Sequence, residues 1–287
     1  MTDVLRRHGR IAPEEAAKHK AFERFEHAAP NDPWRMDFKG HFAMGNGRCH
    51  PLTVLDDHSR FAIGPRACGD ETTETGRGAL SEWFRRYGPP LRTLMDNGSP
   101  WGDDQSHPWT PLTVWLVRRG VRVAHSGPYH PQTQGKDERF HRTLKAELLR
   151  YETFDDLAHA QRRFDPWRET RNRERPHEAL ALATPASRYR VSPRAPLASR
   201  RRPIEYGPGG AARRVQHGGW FSYQGRPWRI GRAFQGQPVA LRPSGADGEL
   251  DVVFCSERVG RINLRPGGES VSGSEHETVP LGSQAAP

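Results

Sequence analysis

Cysteine is scarce in this chain: 3 occur in 287 residues, Cys49, Cys68 and Cys255, and no two stand at Cys-x-x-Cys spacing. That excludes a disulfide framework and a thiolate zinc site, and it fits a reducing compartment. Long apolar runs are missing too. None approaches the roughly 20 residues that a membrane span needs, and the N-terminus has no signal-peptide apolar stretch. The expectation is cytoplasmic residence and no membrane partner. The 14 histidines are scattered, and without His/Cys metal spacing His125 and His130 read as loop side chains. No internal repeat is present.

Lysine is absent from residues 188 to 265, which hold 15 arginines against 5 acids. That surplus of ten equals the formal net charge of the whole chain, +10. The segment from 266 onward has 3 acids and no base, so the first 187 residues carry a surplus of three. A basic surplus of this kind points to a polyanionic partner, and here it belongs to the C-terminal third.

Three acids stand at the ends or on the faces of predictable elements. In Trp34-Arg35-Met36-Asp37-Phe38-Lys39 large apolar residues alternate with polar ones at strand period, placing Asp37 on the polar side. Leu91-Arg92-Thr93-Leu94-Met95-Asp96-Asn97-Gly98 is a short apolar run ending in an acid and a turn, where α/β sheets present functional side chains. From Tyr129 to Lys145 the chain reads Tyr-His-Pro-Gln-Thr-Gln-Gly-Lys-Asp-Glu-Arg-Phe-His-Arg-Thr-Leu-Lys. Pro131 and Gly135 punctuate a loop there. Phe140, Leu144, Leu148 and Tyr151 then recur as a buried helical stripe. Glu138 falls on the first turn of that helix, and Arg142 and Lys145 follow it at i+4 and i+7 on one polar face. A carboxylate flanked by cations suits a metal held beside a phosphate backbone, whereas the plain alternative is a solvated face with a Glu138–Arg142 ion pair.

Asp37 in WRMDF, Asp96 in LMDNGSPWG and Glu138 in HPQTQGKDERFHRTLK resemble the three acids of the DDE insertion-sequence transposases and retroviral-type integrases. Asp96 to Glu138 spans 42 positions, longer than is usual in that family, and the surplus is expected in the polar loop Gly102 to Pro108. The resemblance implies an α/β, ribonuclease-H-like mixed sheet with flanking helices. It also implies metal-dependent DNA nicking and strand transfer at Asp37, Asp96 and Glu138. These acids would hold two Mg²⁺ ions, with Mn²⁺ as a substitute. Lys39, Asn97, Tyr129, Gln134, Lys136, Arg139, Arg142 and Lys145 are candidates to position DNA backbone. The implied partners are element-end and target DNA and further copies of the chain, in a bacterial cytoplasm and on the nucleoid. Two alternatives stay open: a ribonuclease-H-like nuclease that cuts without joining, and a truncated, catalytically idle DNA-binding remnant.

The organisation follows from composition. Residues 1–30 read as a helical connector, with a short polar helix from Pro13 to about Ala28 and no room for the helix-turn-helix module that precedes the core in the resembling transposases. Residues 31–187 read as the catalytic core, in the order β, β, β, α, β, α, β, α. It includes a hairpin at Gly45-Asn46-Gly47, strands over 50–57 and 60–63, and Asp56 and Asp57 as turn formers. Helices follow from Leu80 to Tyr87, from the Thr110 cap with Pro111, and from a capping box at Thr153 to Asp156. Arg175-Pro176-His177 resembles a structural close to the core. Residues 188–212, including Arg200, Arg201 and Arg202, read as a basic linker placed to bind phosphate. Residues 213–265 read as a small barrel of short strands, and 266–287 as a disordered tail.

Overall fold

The computed structural model describes residues 26–102, 109–125, 131–195, 204–207, 210–265, 267 and 270–271, with the backbone alone at 131–134 and 270–271. The expectations for most of the connector helix, the 103–108 loop, Tyr129, the side chain of Gln134, Arg200, Arg201, Arg202 and the tail lie outside the described residues.

Four strands form the central sheet: β1 (Trp34–Phe38), β4 (Leu52–Asp56), β5 (Arg92–Met95) and β6 (Arg122–His125), in the order β4-β1-β5-β6. β1 runs antiparallel to β4 and parallel to β5, and β5 runs parallel to β6. Alternation along β1 sends Trp34, Met36 and Phe38 into one core, where they are 0%, 1% and 8% exposed. Helix α1 (Thr73–Tyr87) covers that face with Leu80, Trp83, Phe84 and Tyr87, and its N-cap Thr72 accepts from the Thr75 amide. Helix α2 (Pro111–Val117) adds Leu112, Trp115 and Leu116 behind the expected Thr110 cap, closed into a capping box by Thr113. Central parallel strands, an antiparallel β4 and helices between strands make the ribonuclease-H-like mixed sheet.

The short strands β2 (Phe42–Met44) and β3 (Gly47–Cys49) form the expected hairpin as a separate two-stranded sheet. Its tip is held by Gly45 and Asn46 amides donating to Phe154 and Asp155 carbonyls. The strand expected over 60–63 is reduced to two isolated bridges, Leu55 to Ala62 and Leu52 to Arg66. Arg60 takes a left-handed conformation (φ 60°), and the Ile63 and Gly64 amides both turn onto the Val54 carbonyl, so a regular ladder cannot form.

Helix α3 (Pro131–Leu144) corrects the reading of its segment. Pro131 and Gly135 lie within the helix rather than in a loop, so Glu138 is mid-helix and not on the first turn. A π-turn over Lys145–Leu149 then widens the last turn. Phe140, Leu144 and Leu148 stay buried through it, but the phase shift leaves Tyr151 78% exposed. Helix α4 (Leu157–Arg173) starts from Asp156, whose carboxylate accepts from the His159 amide, and not from a box at Thr153. His177 closes the core as a cap, its ring accepting from the Ala179 amide. After the short helix α5 (Pro185–Arg188), Tyr189 stacks on Phe61 with centroids 4.2 Å apart, and Ser192 bonds Tyr87 and Pro89 carbonyls.

The C-terminal unit contains β7 (Ala211–Arg214), β8 (Trp220–Tyr223), β9 (Arg226–Arg229), β10 (Pro238–Pro243), β11 (Glu249–Phe254), β12 (Glu257–Asn263) and β13 (Ser270–Val271). They make an open antiparallel sheet, β13-β12-β11-β10-β7, and a separate β8–β9 hairpin. The expected barrel is therefore a small all-β unit that does not close among the described residues. Phe221, Trp228, Phe234, Val239, Val252 and Phe254 form its core, and Trp109, Val114 and Val117 from the α2 region join it. Trp109 meets Phe234 edge-on at 5.6 Å, and Arg118 donates to Gln237 at 2.9 Å. Phe234→Ala should therefore cost about 3–5 kcal/mol and lower the denaturation midpoint of the mixed sheet as well as of the β unit. Tryptophan fluorescence and circular dichroism of the variant check this, and an unchanged sheet midpoint would count against a shared core.

Candidate active site

Asp37 stands on the face of β1 opposite the core, two residues after Arg35. The parallel register pairs Arg35 with Leu94, so continuing it by two residues sets Asp96, just past the end of β5, beside Asp37. The Asp96 loop is tied down. Its carboxylate accepts from the Gly98 amide at 3.2 Å, and its carbonyl accepts from His125 Nδ1 at 2.8 Å. Gly102 closes the loop where a Cβ would come within 2.3 Å of the Asn97 carbonyl. Trp101, 1% exposed, stacks on Phe38 at 5.5 Å and so fastens the Asp96 loop to the end of β1.

Asp96 raises the cost of charge on Asp37. Burial, then Asp96, then Asp137 push Asp37 up to about 8. Burial also raises Asp96, against the Gly98 amide and His125, with Glu71 adding to the rise. Glu71, held by His50 at 2.8 Å, is thus a further acid facing both, which the sequence reading did not single out.

His141 of α3 reaches the same place. Burial, then Lys39, lower its ring to about 4, so it is neutral near pH 7. The Thr53 hydroxyl donates to the Asp37 carbonyl at 2.9 Å and lies 2.7 Å from His141 Nε2. Its single hydrogen being used, Thr53 accepts from Nε2, and Nδ1 keeps its lone pair. That lone pair lies 3.8 Å from Asp37 Oδ2. Two acceptors facing each other leave a place suited to a proton or a cation.

Glu138 is not brought into this group. It is exposed and makes no hydrogen bond or ion pair with another described residue. Among the described residues no group of three or more His, Cys, Asp or Glu is arranged to hold a metal ion. The neighbours of Glu138 turn inward instead. Asp137 accepts from Arg35 at 2.9 Å, and Lys136 donates to Asp57 at 2.6 Å. Lys136 is thus paired with an internal carboxylate. Asp57 is not a simple turn former either: fully buried like Asp56, it pairs with Lys136 and Arg35, while Asp56 makes the turn by accepting from the Ser59 amide and hydroxyl. Arg139 faces Glu178 at 3.4 Å. Arg142 and Lys145 are exposed, and Lys145 lies close enough to Lys39 to help lower its pKa, after burial. Asn97 is half-buried in the Asp96 turn.

The raised Asp37 sets a pH dependence. Its folded value lies above the ordinary 3.8, so its stabilising protonation is complete below about 4 and is lost as pH rises through about 8. In metal-free buffer, stability should fall across that window, and Asp37→Asn should remove this part of the slope. Melting temperatures from pH 4 to 9 check it: parallel curves for the two proteins would show that Asp37 titrates normally.

Comparison with known proteins adds three family matches. The integrase core domain family matches residues 27–131, a second family of that description matches 119–185, and the IS481 family transposase C-terminal domain matches 210–270. The insertion element IS407 uncharacterized 31.7 kDa protein of Burkholderia multivorans is 30% identical over 184 residues, 59% of this chain and 60% of that protein. The insertion element IS476 uncharacterized 39.2 kDa protein of Xanthomonas euvesicatoria is 28% identical over 165 residues, 55% of this chain and 44% of that protein. The matched stretches therefore span less than two thirds of these relatives. Among solved structures, the HTLV-2 integrase catalytic core in complex with magnesium is 15% identical at a TM-score of 0.42, over 57% of this chain and 99% of that one. A chain of the simian T-cell lymphotropic virus intasome, in complex with PP2A regulatory subunit B56 gamma, is 19% identical at 0.47, over 88% and 92%. On the three family matches, in order along one chain, this protein carries an integrase core domain followed by an IS481 family transposase C-terminal domain.

Proposed function

We propose that this chain is a DDE polynucleotidyl transferase that nicks DNA at an element end and joins the freed 3′-hydroxyl to target DNA. The observation that carries the reading is the pair Asp37 and Asp96, side by side at the carboxyl ends of adjacent parallel strands, where Asp96 opposes the ionisation of Asp37. Such a pair, faced by the bare Nδ1 of His141, fits a divalent cation. Asp37, Asp96 and Glu138 would hold Mg²⁺, with Mn²⁺ as a substitute. When bound, the ions supply charge neutralisation and Lewis acidity to a phosphodiester.

The chain's own part is to aim groups. Lys136 and Phe140 of α3 face the β4 side, through Asp57 and Leu55, while Asp137 and His141 face Arg35 and Asp37 of β1. At about 100° per residue, the next flank carries Glu138, Arg142 and Lys145, all three exposed. Arg142, Lys145 and Lys39 would meet the phosphate backbone there, with Asn97 beside Asp96. The C-terminal arginines are a second, sequence-blind phosphate surface, narrower than the raw count suggests. Arg258 and Arg261 face Asp251, while Arg214 and Arg229 are exposed on β7 and β9. DNA and further copies of the chain are the proposed partners. Membrane involvement has no support in the described helices, none of which is long and apolar enough to cross one.

Asp37→Asn, Asp96→Asn and Glu138→Gln should each lower joining by more than the roughly 100-fold seen when groups that merely support metal ligands are lost, with the fold intact. A strand-transfer gel with pre-cut 3′-hydroxyl oligonucleotides in Mg²⁺ or Mn²⁺ is the test. Cleavage without joining would favour a plain nuclease. The exposure of Glu138 gives the idle DNA-binding reading its support, and DNA binding with no metal-dependent chemistry would decide for it.

A further inference from the structure

A cluster of buried charge lies beneath α3, and the chemistry just described does not use it. Arg35 on β1 donates from Nε to Asp137 Oδ2 at 2.9 Å and from Nη1 to Asp57 Oδ1 at 3.1 Å. Lys136 donates from Nζ to the other oxygen of Asp57 at 2.6 Å, and Arg60 approaches that oxygen at 3.7 Å. Arg35 and Asp57 are 5% and 0% exposed. The placement along the chain is specific: Arg35 is two residues before Asp37, and Lys136 and Asp137 are the two residues directly before Glu138. One guanidinium therefore joins the strand that carries one proposed acid to the helix that carries another, and Asp57 at the end of β4 closes the ring.

We propose that Arg35 is a positioning residue for Glu138, and that with Asp57, Lys136 and Asp137 it forms a clamp setting the rotation and height of α3 over β1. The proposal rests on Glu138 being the third acid of the proposed site. The forked guanidinium matters because its two donors point at two carboxylates on two different elements at once. An ammonium at the same place would keep the charge but lose that fixed angle. Hydrophobic packing restrains α3 through Phe140 against Leu55 and Ala62 and, at its C-terminal end, through Leu144 against Phe154 and Phe164. The clamp restrains the turn that precedes Glu138.

The test compares Arg35→Lys with Arg168→Lys in the full 287-residue protein. Arg168 is equally buried, at 4% exposed, and bonds the Ile63 carbonyl and its neighbour Glu169 on α4. Mn²⁺ binding is read by calorimetry and by the Mn²⁺-induced rise in melting temperature, and joining is read as a function of Mn²⁺. Arg35→Lys should raise the Mn²⁺ concentration for half-saturation by about 10-fold, the lower end for losing a group that orients a ligand. Its joining rate should recover at high Mn²⁺. Arg168→Lys should lower the metal-free melting temperature to a similar degree and leave half-saturation unchanged. If Arg35→Lys does not fold, Asp137→Asn, which keeps the side-chain shape, should show the same displaced Mn²⁺ dependence. Equal Mn²⁺ dependence in the Arg35 and Arg168 variants would overturn the clamp while leaving the proposed site standing. Failure of the unaltered protein to bind Mn²⁺ would overturn both.

Discussion

A carboxylate with no exposed surface must find its compensation inside the protein, and Asp57 is such a group. Several kcal/mol of lost hydration are recovered only when buried charges are paired with good geometry. Three cations from three separate segments meet that demand: Arg35 of β1, Arg60 of the following turn and Lys136 of α3. Their side chains are long, but their attachment points are confined to the strand end, the turn and the helix. The consequence is geometric. Wherever Asp57 lies, α3 must run across β4 and β1 in one register, and everything that α3 offers on its other faces is placed by that choice.

The same register explains why His141 meets Asp37 while Phe140, one residue earlier, packs against Leu55 and Ala62. It also explains the π-turn at Lys145–Leu149. The first part of the helix answers to the charge cluster and the second to the apolar pocket of Cys49, Phe154 and Phe164, which Leu144 and Leu148 enter. A regular 3.6-residue repeat does not serve both demands, and one wider turn absorbs the difference.

Much of the sheet was legible because strand alternation is local: Trp34, Met36 and Phe38 against Arg35 and Asp37 can be read without knowing any partner. The approach of Asp96 to Asp37 was legible for a related reason, since an acid closing an apolar run before Asn-Gly lands at a strand's carboxyl edge. The start of α3 was not. Pro131 is tolerated in a first helical turn, and a single interior glycine such as Gly135 costs only about 1 kcal/mol, so tertiary packing overrides the local signal. Nor could local pattern separate Asp57 from Asp56, because both are fully buried and the distant cations Arg35 and Lys136 decide the role of Asp57. Trp101 and Glu71 escaped for the same reason: their partners Phe38 and His50 lie far from them in sequence.

The sharing of Trp109, Val114 and Val117 with the core around Phe234 bears on how such chains can diversify. A module joined by a bare tether can be exchanged whole, since nothing but the tether notices. Here the β unit and α2 are two halves of one packing problem, so a foreign unit would have to bring side chains that fit an existing tryptophan and two valines. Inheritance of the two parts is thereby coupled: substitutions around Phe234 and substitutions along α2 are expected to be tolerated only in matched sets.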